Sequence, residues 1–349
     1  MVRVIPGSAP ASTRRTLSGA LLSELLHRPL SMTAALVIVA FFIVALFADF
    51  IASDMPIACS IGDRFYAFPN IVDYASLVDY DNQRVVDEIK DSGGWALFPP
   101  VPYGPLQSKV RGAIQWLAPP DLNHLLGTDD RGRDVLARLV HGTRISLAVG
   151  VVAVGIYTAI GLFLGALAGY YSNGRIDRLI SRLIEVMMSF PTFFLILAIQ
   201  GLLTSSSVLQ LMVVIGLTRW TDVARLVRGE VMRIVTQDYI TAARALGLGH
   251  AGIIWRHIIP NAMGPVMVAA TFGVAGAVVI ESALSFLGFG TPPPTASWGE
   301  LLTQAYHNGH PWWLTLFPGI ALFMLVTSYN LVGEALRDAV DPRLRGRSI

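Results

Sequence analysis

The stretch ISLAVGVVAVGIYTAIGLFLGALAGYY, Ile145 to Tyr171, holds no charged residue. At about 1.5 Å per helical residue it is long enough to cross a hydrocarbon core of roughly 30 Å. Gly161, Gly165 and Gly169 recur in it every four positions, so they share one helix face and let another helix come close. The remainder of the chain is of the same kind. Of its 349 residues 53% are hydrophobic and 14% charged, too apolar for an ordinary soluble domain. An all-α polytopic membrane protein is expected.

Further apolar runs lie on either side. Leu30 to Ala48 follows Arg14, Arg15 and Arg28. A secretory signal would leave a soluble product, whereas here more apolar runs follow, so this run reads as an uncleaved first span. After the second span come Val186 to Leu203, kinked near its start by Pro191; a run from Val208 that must continue through Arg219 and Trp220 to be long enough; Met263 to Phe289; and Trp312 to Val332. Six transmembrane helices are expected. Between spans one and two, Asp54 to Gly142 mixes aromatics with Pro-Pro pairs and Gly93-Gly94, which reads as a small folded insert with a few short strands or helices. The expected organisation is a segment 1–29, a first helix 30–53, the insert 54–142, a main transmembrane domain 143–336 and a tail 337–349.

Arginine placement sets the direction, because cytoplasmic loops carry the excess of Lys and Arg. Arg175, Arg178 and Arg182 precede span three, six arginines lie from Arg219 to Arg256, and Arg337, Arg343, Arg345 and Arg347 close the chain. The breaks Thr204 to Ser207 and Gly290 to Pro311 hold no Lys or Arg. Both termini are therefore expected in the cytoplasm and the insert outside, since a loop of that length translocates largely regardless of charge.

Gln237 to Ala262 lies between two spans on the expected cytoplasmic side and is neither linker nor span. Asp238 is placed to cap a short helix through Ala245. Gly247 or Gly249 can end it, and a second short helix runs to His257 before Pro260 leads into the fifth span. Two short helices about a glycine make a compact knob.

Thr241-Ala242-Ala243, then Gly247, then His257-Ile258-Ile259-Pro260 resembles, spacing included, the EAA loop of ATP-binding-cassette (ABC) importer permeases. Thr241 stands where that family has Glu, His257 where Ile is usual and Ile259 where Leu is usual. Leu126 to Leu136 (LGTDDRGRDVL), Glu281 to Gly288 (ESALSFLG), Pro292 to Pro294 and Ser297-Trp298-Gly299 resemble the second permease of dipeptide and oligopeptide importers. The insert's Gly94-Trp95 and Phe98-Pro99-Pro100 are similar to microcin C-type peptide permeases.

The resemblance implies the type I ABC importer permease fold on the bacterial inner membrane. The implied partners are a second homologous permease, two cytoplasmic ATPase subunits that carry ATP and Mg, and an extracytoplasmic substrate-binding protein that delivers a peptide-like substrate. Nucleic acid is not among them. Thr241, Ala242, Ala243, Gly247, His257, Ile259 and Pro260 become the candidate ATPase-coupling residues. Nickel or glutathione is the alternative solute.

Other residues add less. Glu281, an ionisable group inside a span, marks a pathway or an interface, or else packs helices with Ser282 and Ser285 solvating it. The cluster Asp129 to Asp134 either meets a binding protein or organises the start of span two through ion pairs and capping. Trp312 and Trp313 suit an interfacial belt. The lone Cys59 and the dispersed histidines argue against disulfide and metal chemistry. A self-contained ATP pump needs a P-loop lysine after glycine, but Lys90 follows Ile89 and Lys109 follows Ser108. No His-Glu-x-x-His or Gly-x-Ser-x-Gly supports an intramembrane hydrolase. A secondary transporter predicts inverted repeats, which the sequence does not display.

Overall fold

A computed structural model describes residues 28–77, 80, 82–107, 116–203 and 207–340. The expected N-terminal segment up to residue 27, the break at 204–206 and the tail from residue 341 lie outside the described residues. Helix α1 (Pro29–Leu46) begins with proline, whose fixed φ suits a first turn, and a single turn, α2 (Ala48–Ile51), follows it. The charge-free stretch lies in α4 (Val135–Tyr170), where the Asp134 carboxylate caps the first turn by accepting from Ala137 N at 2.7 Å. The region of span three is two helices, α5 (Arg175–Met188) and α6 (Thr192–Leu202), bent by 80° at the break that holds Pro191. Then come α7 (Val208–Val235), α8 (Asp238–Ala245), α9 (His250–Ile253), α10 (Ile259–Phe286), α11 (Trp298–His307) and α12 (Trp312–Val340).

The glycine face does what its spacing predicts. Helices α4 and α7 lie side by side and parallel, with Ile156 against Gly216 and Gly169 against Arg228 and Val231. A Cβ on Gly161 would stand 2.8 Å from Trp220 O, and one on Gly165 would stand 2.5 Å from Ala224 O. Only hydrogen fits there. Helix α10 runs antiparallel to α4, with Gly150 meeting Val274 and Val278 and Gly273 meeting the Tyr157 hydroxyl. Helix α12 runs antiparallel to α10, with Gly333 at Phe272 and Gly264 at Val340. An ion pair of 2.6 Å between Arg28 and Asp338 joins the start of α1 to the end of α12. The bundle therefore has two ends. Arg28, Tyr170, Val235 and Asp338 lie toward one, and the insert lies at the other.

The expectation of six transmembrane helices is overturned. Among the described residues four helices qualify by length and composition: α1, α4, the continuous segment His250–Phe286 that contains α10, and α12. A fifth qualifies only if the bent pair α5 and α6 counts as one span. Helix α7 is long enough, but Arg219, Asp222 and Arg225 fall among its first eighteen residues and leave no apolar window.

The insert is folded around a three-stranded antiparallel sheet of β1 (Ala58–Ile61), β2 (Arg64–Ala67) and β3 (Gly94–Leu97), in the order β2-β1-β3. Helix α3 (Asn82–Ser92) precedes β3. Cys59 is buried in the middle strand beside Tyr66 and Leu77, and burial pushes its thiol pKa up. The insert is tied to the bundle by Val101 N donating to Ile51 O at 3.0 Å and by Ser53 N donating to Val101 O at 3.2 Å.

Candidate coupling site and the two ends of the bundle

At the end away from the insert, α8 and α9 form the knob expected from the sequence. Leu248 N donates to Ala243 O at 3.1 Å and Gly247 N to Arg244 O at 2.9 Å, with Gly247 at φ +82°. This pair of bonds is a Schellman turn, and it makes Gly247 rather than Gly249 the residue that reverses the chain. Asp238 does not cap the helix. It is the first helical residue, after Gln237, and the cap carries no side-chain hydrogen bond. The second helix does not stop before Pro260 either. A wide π turn, Ile254–Ile258, carries α9 directly into α10, where Pro260 sits in the first turn, so knob and span are one rod.

The candidate coupling residues do not all face the same way. Thr241, Ala242, Gly247 and Pro260 are exposed, His257 and Ile259 are half-buried, and Ala243 is buried with Ile240 on the inner face. Leu246 is 81% exposed and Trp255 is 62% exposed. The outer face of the knob thus sets the exposed apolar Leu246 and Trp255 among small residues and the charged Arg244 and Arg256. Its inner face is anchored by residues that sequence reasoning missed. The Tyr170 hydroxyl lies 2.7 Å from His250 Nδ1, and the Arg244 guanidinium sits over the Tyr170 ring at 5.4 Å. Eighty positions separate Tyr170 from His250, and no local pattern signals the contact.

At the insert end the charged residues are buried instead. Arg133 is clamped on Asp129, its Nε at 2.7 Å and Nη2 at 2.6 Å from Oδ2. Arg138 donates to Glu300 at 2.5 Å and lies 3.4 Å from Asp129. His124 Nδ1 lies 2.8 Å from Asp134. Arg138 also donates to Pro105 O at 2.9 Å, reaching the segment that leads out of the insert. Trp298 donates to Leu139 O at 3.0 Å and Trp313 to Thr128 O at 3.1 Å. Trp313 is therefore a buried structural donor, while Trp312 alone is open to an interface. The Asp129–Asp134 motif and the Ser297-Trp298-Gly299-Glu300 turn form one buried ionic joint, the organising alternative of the two readings. Asp130 sits at its rim, its carboxyl pKa raised by burial and by the neighbouring Asp129 and Glu300 carboxylates.

Glu281 lies inside the chain. Ser285 Oγ donates to it at 2.8 Å and Ser282 Oγ at 3.3 Å, and the hydroxyls of Ser297 and Ser146 also face it. That cage joins α10, the cap of α11 and α4 within this chain.

Residues 161–346 match the family described as the binding-protein-dependent transport system inner membrane component. The chain is 39% identical over 228 residues to the dipeptide transport system permease protein DppC of Alkalihalophilus pseudofirmus, covering 65% of this chain and 74% of that one. It is 40% identical over 244 residues to a putative peptide transport system permease protein of Brucella suis, covering 69% and 80%. The di/tripeptide transport system permease protein DppC of Pseudomonas aeruginosa is 37% identical over 257 residues, covering 72% and 84%. The chain belongs to the dipeptide/oligopeptide family of ABC importer permeases. As a permease it is a multi-pass inner membrane transport subunit, not an enzyme, and the matched region takes in the knob, the glycine face and α12.

Proposed function

We propose that this permease forms half of a pathway for a peptide-like solute and takes its drive from two cytoplasmic ATPase subunits docked on the α8–α9 knob. The observation that carries this reading is the knob itself. A partner shifts a conformational equilibrium only by gripping its two states differently. The exposed Thr241, Ala242 and Leu246 offer a surface to grip, and the unbroken run from α9 into α10 offers a way to pass the displacement on.

In this reading ATP and Mg act on the partner subunits, a second permease completes the pathway, and a binding protein delivers solute at the insert end. Both chain termini and the knob face the cytoplasm, consistent with the arginines at that end. The relatives' names, dipeptide and di/tripeptide, favour short peptides as the solute.

The test is purification of the tagged chain from its native membrane with mass spectrometry of what accompanies it. A second permease and two P-loop ATPases are expected, and Leu246→Asp is expected to release the ATPases while keeping the permease pair. A complex that reproducibly lacks ATPases would end the reading.

A further inference from the structure

Helix α7 carries three ionic side chains at successive turns, Arg219, Asp222 and Arg225, at a depth where neighbouring helices are apolar. Arg219 lies over the Tyr157 ring at 5.8 Å. Tyr157 stands roughly 20 Å along α4 from the knob end and roughly 33 Å from the other, well inside the charge-free stretch Ile145–Tyr171. An ionic group at such depth is costly unless it meets water, a partner or a ligand.

The place is built for a guanidinium. Gly276 on α10 leaves the room, since a Cβ there would stand 2.8 Å from Arg219 Nη1. Nη1 itself is buried and has no acceptor. The Asp222 carboxylate is 3.9 Å away, too far for a good hydrogen bond, and is 56% exposed, while Arg225 is exposed one turn further on. Among the described residues Arg219 is half-covered, by Tyr157 and α10, and its neighbours Asp222 and Arg225 are left exposed. Two guanidinium groups thus flank a carboxylate at helical spacing, so one stripe of α7 presents both signs of charge, as a short zwitterionic peptide does.

We infer that Arg219, with Arg225, is a subsite that takes the free carboxylate of a short peptide in transit, with Asp222 facing its ammonium group. The inference rests on the peptide reading above. Arginine suits the task because its planar fork pairs a carboxylate through two parallel hydrogen bonds, which lysine does not reproduce.

The experiment uses the complete importer with its binding protein in proteoliposomes and measures uptake of labelled dialanine. Wild-type uptake tests the peptide reading itself, and a wild type that moves no dialanine or trialanine sinks both readings. Given wild-type uptake, Arg219→Gln is expected to lose about tenfold or more in kcat/KM, mostly in KM, with Arg219→Lys intermediate. Arg182→Gln, which breaks only an exposed pair with Glu185, is expected to behave as wild type. In Arg219→Cys the other cysteine, Cys59, is buried, so a membrane-impermeant cationic methanethiosulfonate is expected to label position 219, with dialanine slowing the reaction. Wild-type kinetics in Arg219→Gln, or no labelling of Arg219→Cys, overturns the subsite. Loss of the second permease from the Arg219→Gln complex assigns the guanidinium to the subunit interface and overturns it equally.

Discussion

The two ends of this bundle solve opposite problems with similar residues. At the insert end, Asp129, Arg133, Arg138 and Glu300 are drawn inside and pair their charges with one another. At the knob end, Leu246 and Trp255 are left in the open while Ile240, Ala243, Ile253 and Ile258 turn inward. A buried ionic joint is stiff, because breaking one partner strands the other. An uncovered apolar ridge gains its stability only when something covers it. The difference teaches where the molecule is fixed and where it is prepared to be moved.

The comparison breaks first at the joint. Arg138→Ala deprives the part-buried Glu300 of its nearest guanidinium, and is expected to lower stability by about 3–5 kcal/mol, read as the thermal midpoint in detergent. A loss under 1 kcal/mol would mean that the joint is not rigid. Gly165→Val, on the shared glycine face, drives a branched side chain into the Ala224 carbonyl and is expected to cost about 1–3 kcal/mol or more, checked by the same melt. At the knob, Gly247→Val forces a branched residue to φ +82° and is expected to cost about 1–3 kcal/mol locally. Its main readout is loss of solute-stimulated ATP hydrolysis with membrane insertion intact. Tyr170→Phe removes one hydrogen bond to His250, worth about 0.5–1.5 kcal/mol, and is expected to loosen coupling without abolishing uptake. The smallest effect belongs to Asp130. Its folded pKa is raised, so ionising it opposes folding as pH rises above the ordinary carboxylate value. Asp130→Asn is therefore expected to raise the melting temperature slightly at neutral pH, a gain that fades as pH falls toward the ordinary carboxylate value and is gone below it.

Much of this was open to the sequence, for identifiable reasons. The apolar runs of α1, α4, α10 and α12 are long enough to cross a hydrocarbon core, and the period of Gly161, Gly165 and Gly169 placed them on one face. The knob was legible because a turn glycine and helix formers sit at short range around it. Two things were not. The count of spans failed at α7, where an apolar run of ten residues was extended through Arg219 as if the charges would reach an interface. The ionic joint failed because Arg138 and Glu300 lie 162 positions apart, and each reads alone as a surface charge. Ala243, by contrast, could have been placed: it follows Ile240 by three, and that pair marks the inner face of a helix whose other side chains are exposed.

The wide turn at Ile254–Ile258 has a further consequence. It admits one residue more than an α-helical turn would, and each residue turns a helix by about 100°. That extra residue therefore sets the rotational phase of the whole rod beyond it, as a key's bow sets the angle of its bit. Deleting His257 alone would swing Glu281 out of its ring of serine hydroxyls and carry Gly273 off the Tyr157 hydroxyl and Gly276 away from Arg219, with no other residue changed. Variation in chain length at this one turn is a means of retuning the interior of the bundle from a position on its surface.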